Sequence, residues 1–425
     1  MIINRIQVLN YGCLRYVDVP MDRFHVLIGP NSSGKSTLMD AIKFVSEVVR
    51  DGVEAACERR TSNFADLVWG RPDEPEKQRF EIALEFDLPD DIQSLIPLGP
   101  RFSRFRYQLA IGTNIETGRV SLQEERGTLI SDKSSQERQL WMFPDPLAPM
   151  VTIMQRQSPG TRMVFSKSNT GRSRYHPETV NDPGTQGWRP AFSLSADRSA
   201  MSILPDSIGD YPATTRVSAY LRESVMSVSL SSERMRQASR PGVGTDFLRD
   251  GSNIPWVVDY MQVQAPKRTQ DWIGHVQGAL HGFESVKVID RADDRHKYLM
   301  LKYRNGLEVP SWKVSDGTLR LLALTVLAYM PQANGLYMIE EPENGIHPGA
   351  LQDVFDSLSS VYDAQVLLAT HSPEFVAIAN VKHLLCFGRT DYGVVDVIPG
   401  SSHPRLMKWQ NETDLGTFFA SGILA

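Results

Sequence analysis

Cysteine is scarce. The chain has three in 425 residues, Cys13, Cys57 and Cys386, too far apart for a zinc pattern or a disulfide framework. They read as small buried residues of a reducing compartment. Long apolar runs are missing as well. The longest, near Leu321 to Met330, is about half of what a membrane helix needs, so no membrane association is expected. There is no excess of positive charge: 45 Lys and Arg stand against 50 Asp and Glu, for a net charge of −5. Any contact with nucleic acid must therefore come from a local patch. No internal repeat is present, and no heptad pattern lasts long enough for a long coiled coil. The start, Met1-Ile2-Ile3-Asn4-Arg5-Ile6, begins a strand and lacks the charged head and apolar core of a secretory signal. A cytoplasmic protein is expected. What remains is ordinary, 41% hydrophobic and 22% charged, as in folded globular chains. The length exceeds one compact core and predicts two lobes.

Against that plain background one stretch stands out: Gly29-Pro30-Asn31-Ser32-Ser33-Gly34-Lys35-Ser36-Thr37. It reads G-x-x-x-x-G-K-S, a phosphate-binding loop. An apolar strand, Phe24 to Ile28, leads into it. A helical pattern follows, with Leu38, Ala41, Ile42, Val45, Val48 and Val49 on one face. That strand-loop-helix context is what gives the motif its meaning. The glycines let backbone N–H groups curl around phosphates. The helix N-terminus adds its positive end, Lys35 a point charge, and the Ser36 hydroxyl a ligand for magnesium.

The rest of the chain is read by what it adds to a nucleotide held there. Ile2–Leu9 and Tyr16–Val19 read as strands around a turn at Tyr11-Gly12. Phe80, Ile82, Leu84 and Phe86 alternate with Glu81, Ala83 and Glu85, the mark of a half-buried strand. Phe105–Ile111 and Arg119–Glu124 read as a hairpin, so an antiparallel layer is inserted after the first strand-helix unit. Residues 127–215 carry few periodic segments. Within them Ser166 to Arg174 is a polar basic loop, and Lys167, Arg172 and Arg174 form a candidate patch for duplex DNA, with a solvated surface loop as the plainer alternative. Helical pattern is predicted from about Thr215 to Ser239 and from Asn253 to Leu280. Strands are predicted at Val286–Ile289, Tyr298–Tyr303 and Leu307–Val309.

Three motif-dense segments close the chain. Val314-Ser315-Asp316-Gly317-Thr318 opens a helix, and a Ser and a Gly there offer a hydroxyl and free N–H groups to an anion, although the same residues make an ordinary helix cap. Leu336 to Ile339 is an apolar strand ending in Glu340-Glu341-Pro342-Glu343-Asn344-Gly345-Ile346-His347-Pro348. Alternation sends the two adjacent carboxylates to different sides. One can hold magnesium and the other can orient an attacking water. Gln365 to Ala369 is a second buried strand, ending in Thr370-His371-Ser372-Pro373. The intervening crossover helix, Leu351 to Tyr362, has room to bring His371 to the same ligand edge of the sheet.

Together these segments resemble the ATP-binding-cassette ATPase superfamily, in its RecF, OLD and structural-maintenance-of-chromosomes (SMC) branch, the soluble AAA-ATPase-like subgroup linked to DNA repair and phage defence. Ile6 to Gly12, the early phosphate loop, the Glu340–Pro348 run, Thr370–Pro373 and Asp250-Gly251-Ser252-Asn253-Ile254-Pro255 carry the resemblance, over residues 1 to about 125 and 245 to 425. It implies ATP and Mg2+ as cofactors. Gly29 to Thr37 become the Walker A motif, Glu340 the Walker B acid and metal ligand with Ser36, and Glu341 the catalytic glutamate. Asn344 to Ile346 become the D-loop, His371 the switch histidine, and Ser315-Asp316-Gly317 the signature that caps the nucleotide of a second protomer. Walker B has Glu340 where Asp is commoner. No Q-loop is unmistakable, Gln78 being the nearest candidate. About fifty residues follow His371, too few for a TOPRIM nuclease domain, so a nuclease would be a separate chain.

The expected fold is α/β: an ABC-ATPase-type phosphate-loop lobe with an antiparallel β layer, plus a mainly helical second lobe. Residues 1–125 would form the first half of the ATPase lobe, 126–190 a variable insertion, 191–285 a helical lobe and 286–425 the second half. The sheet is expected to combine the first strands with those at Leu336 and Gln365. The implied function is an ATP-hydrolysing switch that forms a homodimer around ATP, or a higher assembly, and acts on DNA or a separate effector such as a nuclease. A transporter ATPase subunit, a non-hydrolysing scaffold and a kinase stay open as alternatives.

Overall fold

The computed structural model describes residues 1–96, 102–115, 117–131, 142–155, 158–170, 172–180, 195–204, 208–407, 409, 414–422 and 424. The chain opens with β1 (Ile3–Tyr11), β2 (Leu14–Pro20) and β3 (Phe24–Ile28). All five residues of β3 are buried, as befits a strand covered on both faces. The helix α1 (Lys35–Asp51) follows, with Leu38, Ala41, Ile42, Val45, Val48 and Val49 buried along the face that the periodicity marks. Then come α2 (Val53–Glu58), β4 (Arg79–Asp87), α3 (Asp90–Leu95), and the long hairpin of β5 (Phe102–Thr113) and β6 (Val120–Ser131). β7 (Thr161–Ser168) and β8 (Ser173–Tyr175) extend the same layer. The result is a seven-stranded sheet in the order β2-β1-β4-β5-β6-β7-β8. β1 and β2 therefore belong to the antiparallel layer and not to the nucleotide-side sheet expected for them. Their tight turn pairs them with each other, and the free edge of β1 pairs with β4.

The candidate DNA patch on this layer is smaller than the sequence suggests. Lys167 lies inward on β7 and is buried. Its ammonium donates to the carbonyls of Ser195, at 2.7 Å, and of Arg198. Alternation along the strand turns it toward the interior, where the buried Glu125 faces it across the β6–β7 ladder. Arg172 and Arg174 are exposed. Gly171 of the same loop lies outside the described residues.

The second half runs through α4 (Pro212–Glu223), β9 (Val225–Val228), α5 (Ser232–Arg236), α6 (Ile254–Gln264) and α7 (Pro266–Ala279). The helical pattern read over Thr215–Ser239 is thus interrupted by a strand. Val225 to Val228 pair in parallel with Leu336 to Ile339, and the Ser224 carbonyl accepts the Leu336 N–H at 2.7 Å. A ladder with a distant strand outweighs local helix propensity here. The second pattern splits at Pro266, which has no N–H to continue the ladder. A small sheet of β10 (Phe283–Asp290), β11 (Lys297–Tyr303) and β12 (Glu308–Pro310) precedes α8 (Asp316–Val326). The chain ends with β13 (Gly335–Glu340), α9 (Leu351–Ser359), β14 (Ala364–Ala369), α10 (Pro373–Ile378), β15 (Leu384–Arg389), β16 (Val395–Pro399) and α11 (Leu415–Ala420).

The central sheet has the order β16-β15-β3-β14-β13-β9. All its pairings are parallel except that of β15 with β16. Its strands feed two cores by period-two alternation. Leu27, Leu336, Met338 and Leu367 join α1, α4 and the antiparallel sheet, while Val26, Ile28, Tyr337, Ile339, Val366 and Leu368 join α6 to α10. The two sheets are tied by the buried amide of Gln365, which accepts from the Ile3 N–H at 3.0 Å and donates to the carbonyls of Ile3 and Asp22 at 2.8 Å each. The expected α/β architecture with an antiparallel layer is present. Among the described residues no helix is long and apolar enough to cross a membrane.

Candidate nucleotide site

β3, β14 and β13 lie side by side and parallel, so their C-terminal ends share one edge. In such sheets that edge is where ligands sit. The loop leaving β3 is Gly29 to Gly34. Its last residue has φ 99°, and a Cβ there would come within 2.9 Å of a Leu14 methyl, so glycine is needed both for the turn and for the packing. Lys35, the first residue of α1, is only 5% exposed. Its ammonium curls back to the carbonyls of Gly29, at 2.7 Å, and Pro30, at 2.9 Å. Burial pulls its pKa down to about 8, and the charges of Glu340 and Glu341 hold it up against that pull. Asn31, Ser32 and Ser36 are exposed, and Ser33 is buried. Thr37 turns inward, its hydroxyl 3.2 Å from the Cys13 sulfur.

Glu340 ends β13 with its side chain exposed. Glu341 follows with φ 49°, a left-handed conformation rare for a side-chain-bearing residue. Its N–H donates to the Ala369 carbonyl at 2.7 Å, which locks the turn against the end of β14. The Asn344 amide donates to its carboxylate. His371 is exposed just past β14. Partial burial and the Lys35 charge lower its pKa, and the carboxylates of Glu341, Glu343 and Glu340 oppose the shift. The fold thus brings Lys35, Glu340, Glu341 and His371 within electrostatic reach of one another. Among the described residues no group of three His, Cys, Asp or Glu could hold a metal alone. The donors present are oxygens, two carboxylates and the exposed Ser36 hydroxyl, which suits magnesium shared with phosphate oxygens.

The Ser315 segment is held by partners of its own. Ser315 caps α8, accepting the Thr318 N–H at 3.2 Å. Asp316 forms an ion pair with Arg236. Gly317 packs against the loop after β13, where a Cβ would overlap the Gly345 carbonyl oxygen. Ser315 and Asp316 make no hydrogen bond or ion pair to the phosphate loop among the described residues. Gln78 has other partners: its amide donates to the Pro72 carbonyl at 3.1 Å and accepts the hydroxyl of Thr113, at the end of β5, at 2.9 Å.

Two contributors escaped the sequence reading. Glu343 accepts the Thr370 hydroxyl at 2.6 Å and the His371 N–H at 3.4 Å, joining the loop after β13 to the histidine. It stood inside a recognised motif, but spacing carried no sign of a bond across 27 residues. The end of β9 is the second. Ser227 and Ser229 help line a cavity of about 370 Å3 with Arg320, Glu340, Glu341 and Asn344, and the helical periodicity around β9 hid that strand.

A family model for an AAA domain, described as "putative AbiEii toxin, Type IV TA system", matches residues 24–377. Among solved structures, an Smc head bound to the C-winged helix domain of ScpA aligns with 94% of this chain and 98% of its own, at a TM-score of 0.54 and 14% identity. An Smc head with an extended coiled coil, bound to the C-terminal domain of ScpA derived from Pyrococcus furiosus, aligns with 93% and 95%, at a TM-score of 0.51 and 13% identity. The fold is that of an SMC-type, ABC-like ATPase head. Structural maintenance of chromosomes protein 1 of Caenorhabditis elegans is 38% identical over 72 residues, 17% of this chain and 5% of that protein. The match therefore spans about a twentieth of that relative.

Proposed function

The chain belongs to this AAA-domain family of SMC-like, ABC-type ATPases, and from that premise we propose that it is an ATP-hydrolysing switch that closes as a homodimer around ATP. The observation that carries the reading is the meeting of a buried Lys35 with Glu340, Glu341 and His371 at the ends of three adjacent parallel strands. Lys35 and the loop N–H groups bind the β- and γ-phosphates. Ser36 and Glu340 would hold magnesium, which supplies charge neutralisation on the phosphate oxygens. Glu341 orients water for in-line attack and takes its proton, with the Asn344 amide fixing its carboxylate. His371 contacts the transferring phosphoryl group. Ser315, exposed at the cap of α8, faces the nucleotide of a second copy, with Asp316 and Gly317 shaping its turn. Closure then couples to DNA or to a separate effector chain, such as a nuclease, in phage defence or DNA repair. The Smc heads that the chain resembles carry a ScpA domain, which supports a partner chain here.

Steady-state phosphate release tests the chemistry. Lys35→Ala removes a charge-assisted contact of about 1.5–3 kcal/mol and should weaken ATP binding about ten- to a hundredfold in calorimetry. Glu341→Gln should keep ATP binding and slow turnover about a hundredfold or more. Turnover at the parent rate in Glu341→Gln sinks the assignment, and parent-like ATP affinity in Lys35→Ala sinks the loop.

A further inference from the structure

Outside the nucleotide site, one cleft combines aromatic and cationic groups. It holds about 500 Å3 and is lined by Arg236, Gln237, Ala238, Arg291, Tyr298 and Trp312. The lining comes from the end of α5, the β10–β11 turn, β11 and the turn before α8. No carboxylate is among the lining residues. Trp312 is 49% exposed although it is a large aromatic, and its ring stands 4.9 Å from that of Tyr298. Such a ring on the surface presents a π-face to a ligand at little conformational cost.

We propose that this cleft binds an unpaired nucleotide of a single-stranded nucleic acid, its base on Trp312 and its flanking phosphates on Arg291 and Arg236. The volume falls in the range of about 300–1,000 Å3 typical of small-ligand sites, room for one nucleotide unit. Base stacking on aromatic rings with arginines along the backbone is the general chemistry of single-strand binding. Arg291 is half exposed and leans on Asp294 at 3.6 Å, a weak surface pair that a phosphate can displace. Arg236 uses Nε and Nη2 on the Val314 carbonyl and Asp316, and its Nη1 makes no hydrogen bond among the described residues. Lys313, next to Trp312, and Arg240, two residues past Ala238, are exposed cations on the same two segments. A duplex buries the base faces that Trp312 would need, so the occupant is single-stranded. Arg236 belongs both to the cleft and to the Ser315 turn, so an occupant and that turn share one side chain.

Fluorescence anisotropy of a labelled short oligothymidylate with the full chain tests this without ATP, so it stands or falls independently of the ATPase reading. The parent should bind at low salt, with affinity falling steeply as salt rises. Trp312→Ala should weaken binding about ten- to a hundredfold, Trp312→Phe should retain most of it, and Arg291→Ala should flatten the salt dependence by about one phosphate contact. An unchanged thermal melt of each variant shows that the fold is intact. Absence of binding by the parent overturns the proposal, and so does parent-like affinity in Trp312→Ala. Equal competition by free thymidine monophosphate would mean a free nucleotide is the occupant. Tight binding of a phosphotyrosine peptide in place of the oligonucleotide would mean a protein partner. Either result rejects the proposal.

Discussion

Lys35 concentrates the electrostatics of the site in one side chain. Its pKa falls from the ordinary 10.5 to about 8 because folding buries it. Between those values the unfolded chain holds a proton that the folded chain has lost. Folding stability contributed by this group therefore rises as pH climbs from about 8 toward 10.5. Below pH 8 the charged lysine is held at a cost that ATP phosphates would repay. Two outcomes are expected: ATP affinity should decline above about pH 8, and the melting temperature of Lys35→Met should lose the rise that the parent shows in that window. Calorimetry and melts across pH 7–11 check both, and a Lys35→Met profile parallel to the parent's would show that Lys35 is not the titrating group. Glu343 makes the complementary case of a positioning residue. Its carboxylate holds Thr370 and the His371 backbone. Glu343→Ala should lower kcat about tenfold, since a shift of about an ångström can cost up to a hundredfold. KM for ATP should stay near the parent value, and Glu343→Gln, which keeps an acceptor for Thr370, should recover most of the rate. A loss confined to KM would move Glu343 from positioning to binding.

At the scale of elements, α4 shows how distant residues finish what local sequence leaves open. Its N-terminus has Pro212 at the first position and no side-chain cap of its own, so the first N–H groups need acceptors. Glu178, from a separate segment, accepts the N–H groups of Ala213 at 2.6 Å and Thr214 at 2.9 Å, and the Thr214 hydroxyl at 2.5 Å. The carboxylate is fully buried, and burial raises its pKa to about 7 despite these bonds. Glu178→Ala leaves buried donors unpaired and should cost about 2–3 kcal/mol in urea unfolding. The folded pKa lies above the ordinary 4.5, so the group's contribution to stability is fullest below pH 4.5 and is lost as pH rises through about 7. Glu178→Gln cannot ionise and should flatten that slope; an unchanged slope would place its origin in another group. α8 illustrates the opposite dependence. Its cap is local, Ser315 to Thr318, but its position is set by Gly317 against the Gly345 carbonyl. The start of α8 and the loop after β13 are therefore packed against each other.

For the whole molecule, the lack of any hydrogen bond between Ser315 and the phosphate loop among the described residues has a consequence in solution. If Ser315 serves nucleotide, it serves that of a second chain, and ATP should compact a pair of molecules that hydrolysis loosens. Glu341→Gln should accumulate a compact ATP-bound dimer. Ser315→Arg should bind ATP and stay open, because the bulk of the arginine stands where the second nucleotide would be capped. Small-angle scattering with and without ATP and magnesium reads the difference. Normal closure by Ser315→Arg would remove the signature from the site. Compaction, beyond mass alone, is the relevant quantity, since a dimer through another surface would raise mass without responding to ATP.

The amino-acid sequence alone determined the phosphate loop, the apolar face of α1, the acidic end of β13 and the Thr370-His371 end of β14. Each is written in contiguous residues: a glycine-lysine spacing, a 3.6-residue period, an apolar run with a polar stop. Family resemblance followed from their order. Tertiary structure alone decided the rest, because the deciding partners are far apart in the chain. Val225 to Val228 form a strand because β13 offers an open parallel edge, which outweighs a helical period. Lys167 is buried because β7 turns it inward to waiting carbonyls. Glu343 reaches His371, and Arg236 reaches Asp316, 80 residues away. A local pattern fixes how a segment curls, since neighbouring residues set backbone sterics and amphipathic period. Which segments then meet depends on edges, cavities and unpaired groups that exist only once the chain has packed.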